Sequence, residues 1–276
     1  MPTIRIGDDQ LYYEEHGTGA PVLLVPGLSG VGTFWDRQIP GLARDFRVIV
    51  HDHRGTGRST HARIRYSVDQ MADDVLRLMD ALGMASAHLV GHSTGGAIGQ
   101  TLAQDHPARL RSLVLSASWA GPDPYFRRCF ESRREVLVTL GVEAYLRASA
   151  LFVMPPAWIR ASDAALAEQH RQQAAAAPPV EVTVSRIDAI VRFDRRARLH
   201  EVRTPTLVVV AADDALTPVF YSRELADRIP GAKLVVLDGG AHYAPVAAAE
   251  TWAAAVGPFL RAQPAGEPAQ AVRLLK

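Results

Sequence analysis

The segment LVGHSTGGAIGQ, residues 89–100, sets Ser93 among four glycines at the end of an apolar run. A serine hydroxyl attacks a carbonyl only when a base removes its proton, so such a role demands a histidine and an acid to orient it. Both follow, in the order serine, acid, histidine that a nucleophile on a strand-to-helix turn uses. His242 stands in VVLDGGAHYAP, and two aspartates, Asp213 and Asp214, stand in LVVVAADDALTP. The same chemistry needs backbone N–H groups aimed at a developing oxyanion. Thr94, next after the serine, supplies one; Leu28, in the PGLSG loop, is the candidate for the second.

By itself G-x-S-x-G is a weak signal, since glycine is common in any chain. Here the motif directly follows the apolar run Ala87 to Val90 and leads into a helical pattern, Thr94 to Asp105. That is the strand, sharp turn and helix which lift a hydroxyl above a sheet edge, beside the positive end of a helix dipole. Glycine at 91 and 95 removes side chains that would collide across a strained turn, and Gly96 lets the helix approach the sheet.

The elements that must position these residues are legible. Thr3 to Ile6 and Gln10 to Glu15 alternate around Gly7-Asp8-Asp9 and predict an antiparallel hairpin. Val22 to Val25, Arg47 to Val50, Ala87 to Val90, Leu113 to Ala117, Thr206 to Ala211 and Lys233 to Leu237 are continuous apolar runs, as expected of parallel strands covered on both faces. Helical patterns lie between most of them, at Phe34 to Leu42, Ser67 to Leu82, Thr94 to Asp105, Pro218 to Arg228 and Ala247 to Arg261. The pattern predicts an α/β fold with a mostly parallel, doubly wound sheet. From Ala120 to about Arg198 the alternation stops, and prolines 122, 124, 155, 156, 178 and 179 punctuate helical stretches. The expected organisation is a core of residues 1–119 and 199–262, a helical cap inserted at 120–198, and a frayed tail at 263–276.

Composition narrows the partners. The 276 residues carry 30 basic and 29 acidic side chains, a net charge of +1, with the signs interspersed. Neither a nucleic-acid nor a membrane partner is expected; a small-molecule substrate is. Cys129 is the single cysteine, expected as a small buried hydrophobe, and no internal disulfide can form. The opening MPTIRIGDDQ lacks the basic and apolar regions of an export signal, and the apolar runs fall short of the ~20 residues that span a bilayer. A soluble cytoplasmic protein is therefore expected, with a homodimer as one quaternary option. Among the other histidines, His51 and His53 flank a loop, His92 packs the elbow, His106 precedes a proline, and His170 and His200 are expected at the surface.

Together these residues resemble the α/β-hydrolase superfamily over essentially the whole chain outside the cap. HDHRGTGRS, residues 51–59, resembles its D-x-R-G-x-G-x-S loop, in which Arg54 is expected to tie loops together beneath the site. Within the superfamily the chain is similar to the 3-oxoadipate enol-lactonase branch. It is more similar to the pyrimidine-utilisation branch of aminoacrylate or carbamate hydrolases, through LVLSASWAGPDPYFRRCFESRREVL (113–137), PPAW (155–158) and AADDALTP. The resemblance implies Asp214 as the acid, because such enzymes place it four residues before the proline of its loop, here Pro218. Two departures stand out. Pro26-Gly27 replaces the His-Gly usual at the oxyanion loop. The aminoacrylate branch does not rely consistently on the serine, so an intact set leans toward ester, lactone or amide cleavage.

The expected reaction is acyl transfer through Ser93, His242 and Asp214, with Leu28 and Thr94 amides on the oxyanion, an acyl-enzyme intermediate, and no metal or cofactor. Trp35, Trp119, Phe126, Phe130, Trp158 and Tyr243 are candidates for an apolar substrate pocket. Arg127 and Arg128 are candidates for holding a substrate carboxylate, unless Arg127 pairs with Glu131 one helical turn away. Rival readings are an aminoacrylate- or carbamate-type C–N hydrolase, a C–C bond hydrolase or cofactor-free peroxidase on the same scaffold, and a silent ligand-binding protein. Dehalogenation would need a carboxylate at position 93.

Overall fold

Eight strands form one sheet in the computed structural model, which describes residues 2–263. In chain order they are β1 (Thr3–Ile6), β2 (Asp9–His16), β3 (Ala20–Val25), β4 (Phe46–His51), β5 (Ala87–His92), β6 (Leu110–Ser116), β7 (Thr206–Ala211) and β8 (Lys233–Leu237). They lie in the order β1-β2-β4-β3-β5-β6-β7-β8. The hairpin β1–β2 pairs with itself and with β4 antiparallel, and every later pairing is parallel. The helices are α1 (Ile39–Leu42), α2 (Val68–Ala81), α3 (Thr94–Asp105), α4 (Pro124–Val153), α5 (Pro156–Ala175), α6 (Val180–Arg192), α7 (Val219–Arg228), α8 (Ala244–Ala247) and α9 (Ala249–Arg261). The frayed tail expected at 263–276 lies, beyond Gln263, outside the described residues.

The continuous apolar runs are strands because both faces are covered, and every residue of β5 and of β7 is buried. Alternate residues then serve two cores. Leu23, Val25, Ile49, Leu89 and Leu113 pack with α2, α3 and the inserted helices, through Val75, Ile98, Leu102 and Phe126. Val22, Leu24, Val48, Val50, Val90 and Val209 pack with Trp35 and with Trp252, Val256 and Leu260 of α9. Each such side chain contributes roughly 1.5–3 kcal/mol of burial. The ends are set locally. Ser67 caps α2 by accepting from the Gln70 N–H at 3.0 Å, and Asp123 caps α4 through the Phe126 N–H at 2.8 Å.

Three sequence expectations change. The helix expected over Phe34 to Leu42 is instead a 3-10 turn, Gly32–Trp35, followed by the single turn α1. Pro40 lacks an N–H and its ring disfavours helix in the residue before it, so no continuous helix can pass through. His170, expected at the surface, is buried, because α5 turns it inward. Finally, α4 is long and apolar enough by length and composition alone to cross a membrane. It is broken, however, at Gly141, where φ is +80°. The stretch after the break, to Val153, rises only about 18 Å at 1.5 Å per residue, against the ~30 Å of a bilayer core.

Candidate active site

Ser93 is the one residue between the end of β5 and the start of α3, held at φ +53° and ψ −114°. A non-glycine residue keeps such a conformation only where its surroundings over-determine it. Here the Ser93 N–H donates to the Ser116 carbonyl at 2.8 Å, while its own carbonyl accepts from Gly96 N–H at 2.9 Å and from the Ser118 hydroxyl at 3.0 Å. A Cβ added to Gly91 would lie 2.2 Å from the Gly95 carbonyl oxygen, and one added to Gly95 would lie 2.1 Å from that of Val25. The elbow is thus wedged between its own strand and the loop after β3.

That loop carries Leu28. It touches the elbow directly, since a Cβ on Gly27 would stand 3.3 Å from that of Ser93. Thr94 opens α3, so its N–H has no carbonyl one turn back to satisfy it. The neighbouring Thr94 hydroxyl is buried without a partner. The loop at 51–59 sits behind, where Asp52 accepts from the Gly32 and Arg58 amides at 2.8 Å each. Arg54 joins Asp9 of the hairpin to Asp74 of α2.

Asp214 and His242 come together from the loops after β7 and β8. Asp214 Oδ2 lies 2.9 Å from His242 Nδ1, and both side chains are almost fully buried. Asp214 Oδ1 accepts from the Leu216 and Thr217 amides at 2.9 and 2.8 Å, and the Thr217 hydroxyl lies 2.9 Å from Oδ2. These bonds aim the carboxylate and keep it an acceptor, which places the imidazole proton on Nδ1 and leaves Nε2 with a lone pair. Asp213 is exposed and instead accepts from the Ala241 N–H at 2.7 Å, anchoring the histidine loop. Of the two aspartates left open by the sequence, Asp214 is the one bonded to the histidine.

Among the described residues, the only non-glycine positions with positive φ are Ser93, Ala117 and Ala241. Ala117 follows β6 and gives its carbonyl to Thr217; Ala241 precedes His242. Two of the three, Ala117 and Ala241, border the Asp–His pair, and the third is the serine of the elbow. His92 completes the frame. Its ring lies 4.8 Å from that of His242, tilted against it, and stacks on Phe34 at 4.7 Å. Ser116 Oγ accepts from Trp252 Nε1 at 3.1 Å and can donate to His92 Nδ1 at 3.3 Å, which puts the His92 proton on Nε2. Burial and the neighbouring His242 hold His92 well below the usual imidazole range, and burial lowers His51 to about 4.

The aromatic candidates fall into three groups. Trp35 is fully buried, 5.6 Å from Trp252, and packs beneath the elbow on the far face of the sheet from the inserted helices. Trp119, Phe126 and Phe130 form a buried stack with ring separations of 4.7 and 4.5 Å, filling the space between α4 and the sheet. Trp158 and Tyr243 are half-buried and face each other at 6.2 Å, with Arg37 over the Trp158 ring. Arg127 and Arg128 are corrected: both are exposed, because Phe126, Cys129, Phe130 and Arg133 take the inward stripe of α4 and leave 127 and 128 on the opposite side. Among the described residues neither pairs with a carboxylate, so the Glu131 partnership is not formed either. A cleft of about 560 Å³ opens between the start of α5 and the 238–251 segment, lined by Trp158, Asp238, Gly240 and Thr251. It includes none of Ser93, Asp214 or His242.

Three contributors escaped the sequence. Thr217 carried a faint signal, a hydroxyl three residues after an aspartate, which is the spacing of a side-chain-capped turn. Ala117 and Ala241 carried none, since alanine does not announce a left-handed backbone.

An eight-stranded sheet with an antiparallel start, a serine elbow after β5, an acid after β7, a histidine after β8 and helices inserted after β6 define a class. A family profile described as "alpha/beta hydrolase fold" matches residues 20–247. The chain belongs to the α/β-hydrolase family and is a hydrolase. It is 45% identical over 242 residues to a protein of Azorhizobium caulinodans named "Putative carbamate hydrolase RutD", covering 88% of this chain and 91% of that one. A protein of the same name from Caulobacter vibrioides is 42% identical over 266 residues, covering 94% and 99%. Among solved structures, the enol-lactonase of Burkholderia xenovorans LB400 superposes with a TM-score of 0.87 at 27% identity, covering 94% of this chain and 100% of that chain.

Proposed function

We propose that the chain cleaves the C–N bond of a small carbamate-type substrate by acyl transfer to Ser93. Ser93 Oγ attacks the carbonyl while His242 Nε2 takes its proton, and Asp214 holds the imidazole and stabilises its charge. The oxyanion is received by the Leu28 and Thr94 amides. Collapse breaks the C–N bond as His242 passes the proton to the departing nitrogen. Water, deprotonated by the same imidazole, then attacks the acyl-enzyme and restores the serine hydroxyl.

The observation that carries this reading is the buried Asp214–His242 bond of 2.9 Å, in a loop that contacts the residue preceding Ser93. The C–N bond is favoured over an ester by the names of relatives at 45% and 42% identity across nearly the whole chain. Hydrolysis of a small ester or lactone is the second reading, supported by the likeness to the enol-lactonase and by the same set of groups. The test is release of ammonia or amine from short carbamates beside release of acid from p-nitrophenyl acetate and small lactones, each with Ser93→Ala as control. Carbamate turnover that Ser93→Ala abolishes supports the first reading; turnover confined to esters and lactones transfers it to the second. Full activity of Ser93→Ala on the best substrate overturns both.

A further inference from the structure

Arg186, on α6, is 1% exposed and reaches down from the inserted helices onto the core. Its Nη1 donates to the Arg54 carbonyl at 2.9 Å, and its Nη2 donates to the Leu28 carbonyl at 3.0 Å and lies 3.0 Å from His53 Nδ1. The guanidinium also sits over the Tyr66 ring, 5.5 Å from its centre. Among the described residues no carboxylate pairs with it, and its Nε is buried without a partner. Buried arginines are ordinarily neutralised by an acid, because desolvating a lone charge is costly. This one spends its fork on two backbone carbonyls and a neutral imidazole.

Those two carbonyls belong to the loop carrying the Leu28 amide and to the loop behind it. The Leu28 loop is closed from the other side as well: the Gly30 carbonyl accepts from the His53 N–H at 2.7 Å and the Thr56 hydroxyl at 2.9 Å. A side chain at Gly30 would meet Arg186 Nη2 at 2.9 Å, so the loop is shaped around the guanidinium. Gripping the Leu28 carbonyl limits rotation of that residue, and with it the direction of its N–H.

We propose that Arg186 is a positioning residue for the oxyanion hole: its guanidinium, delivered by the inserted helices, holds the Leu28 amide in the orientation that receives the oxyanion. The seating of those helices and the strength of the oxyanion hole are then one property. This rests on the reading of Ser93 as nucleophile and Leu28 as donor.

The experiment compares wild type, Arg186→Met and Arg186→Lys in the full chain. Steady-state kinetics on the best substrate are normalised to Ser93 sites titrated by a fluorophosphonate, and the rate of that labelling is followed separately. Arg186→Met is expected to lose 10- to 100-fold in kcat per titrated site, with KM within about threefold, and to be labelled more slowly in proportion, because the phosphoryl oxygen needs the same donors. Arg186→Lys, which keeps a cation but not the fork, is expected to fall between Met and wild type. A destabilised but otherwise normal enzyme would lose titratable sites and not turnover per site. Retention of kcat per site within twofold in folded Arg186→Met overturns the clamp while leaving the serine mechanism standing. A wild type that is not labelled at Ser93 overturns the mechanism, and the clamp with it.

Discussion

The loops at the strand ends and the helices α4 and α5 that overhang them are built on opposite terms. Around the site the three non-glycine residues with positive φ among the described residues, Ser93, Ala117 and Ala241, are buried and tied down by hydrogen bonds. In the overhanging helices the departures lie at Gly141 and Ser162, and large apolar side chains such as Leu140 and Leu151 are 70% and 73% exposed. The first region holds one geometry at the cost of local strain; the second presents a surface and tolerates slack. Strain persists only where packing leaves no alternative. On the proposed mechanism the chemistry belongs to the strand ends, and changes in α4 and α5 should act on what binds.

The largest expected effects are in the first region. Ser93→Ala or Asp214→Asn should lower kcat by about 10⁴, measured per folded molecule. Asp213→Asn, one residue away, should cost no more than about tenfold, because Asp213 is exposed and its role is one bond to the Ala241 amide. Equal losses at 213 and 214 would erase the distinction between the two aspartates. Gly95→Ala should prevent folding or cost more than about 3 kcal/mol by denaturant titration, since the methyl would stand 2.1 Å from the Val25 carbonyl oxygen. Gly141→Ala is its counterpart among the helices. Its φ of +80° strains alanine, yet nothing lies within 4 Å of the new methyl, so a loss of about 1 kcal/mol is expected.

Acid should find the first region next. His51, fully buried beside Arg186 and His53, is pushed down to about 4, chiefly by desolvation, and His53 and His92 lie well below the ordinary value as well. Above pH 6.5 these rings are neutral in both folded and unfolded chains and pH has no leverage through them. Between 6.5 and about 4 the unfolded chain takes up protons that the folded chain refuses, so stability falls as pH falls. For His51 alone the loss by pH 4 is about 3 kcal/mol. The midpoint of thermal unfolding should therefore drop steeply from pH 7 to pH 5; a flat profile would mean that water or a rearranged loop solvates the pair.

How much of this was legible follows the same division. Ser93 was readable because it directly follows a strand announced by an unbroken apolar run, and Asp213, Asp214 and His242 because they stand in the loops after the last two such runs, in the order the expected chemistry uses; the choice between the two aspartates rested on the resemblance alone. The sheet was readable for the same reason, with its N-terminal hairpin set by Gly7. The helices were readable as helices but not as faces: Arg127 and Arg128 looked available because nothing local says which side of α4 turns inward. That is decided by what Phe126, Cys129 and Phe130 find beneath them. Arg186 was invisible, since its partners are backbone carbonyls more than 130 positions away, and carbonyls have no letter in a sequence.

The smallest expected effect is the most pointed, because it sits where sequence and structure disagree. If the outward face of α4 only meets solvent, Arg127→Gln and Arg128→Gln should each change stability by less than about 0.5 kcal/mol, since neither side chain is buried or ion-paired. They should also leave KM for an anionic carbamate within twofold at low and at moderate salt. The salt arm matters. A cation that steers substrate from a distance shows itself as a KM or kcat/KM effect that fades with ionic strength, whereas one that grips a carboxylate in a dry site does not fade. A salt-resistant tenfold rise in KM at either position would bring α4 over the serine in a form of the enzyme rotated relative to this one, and would make the slack helices participants in binding.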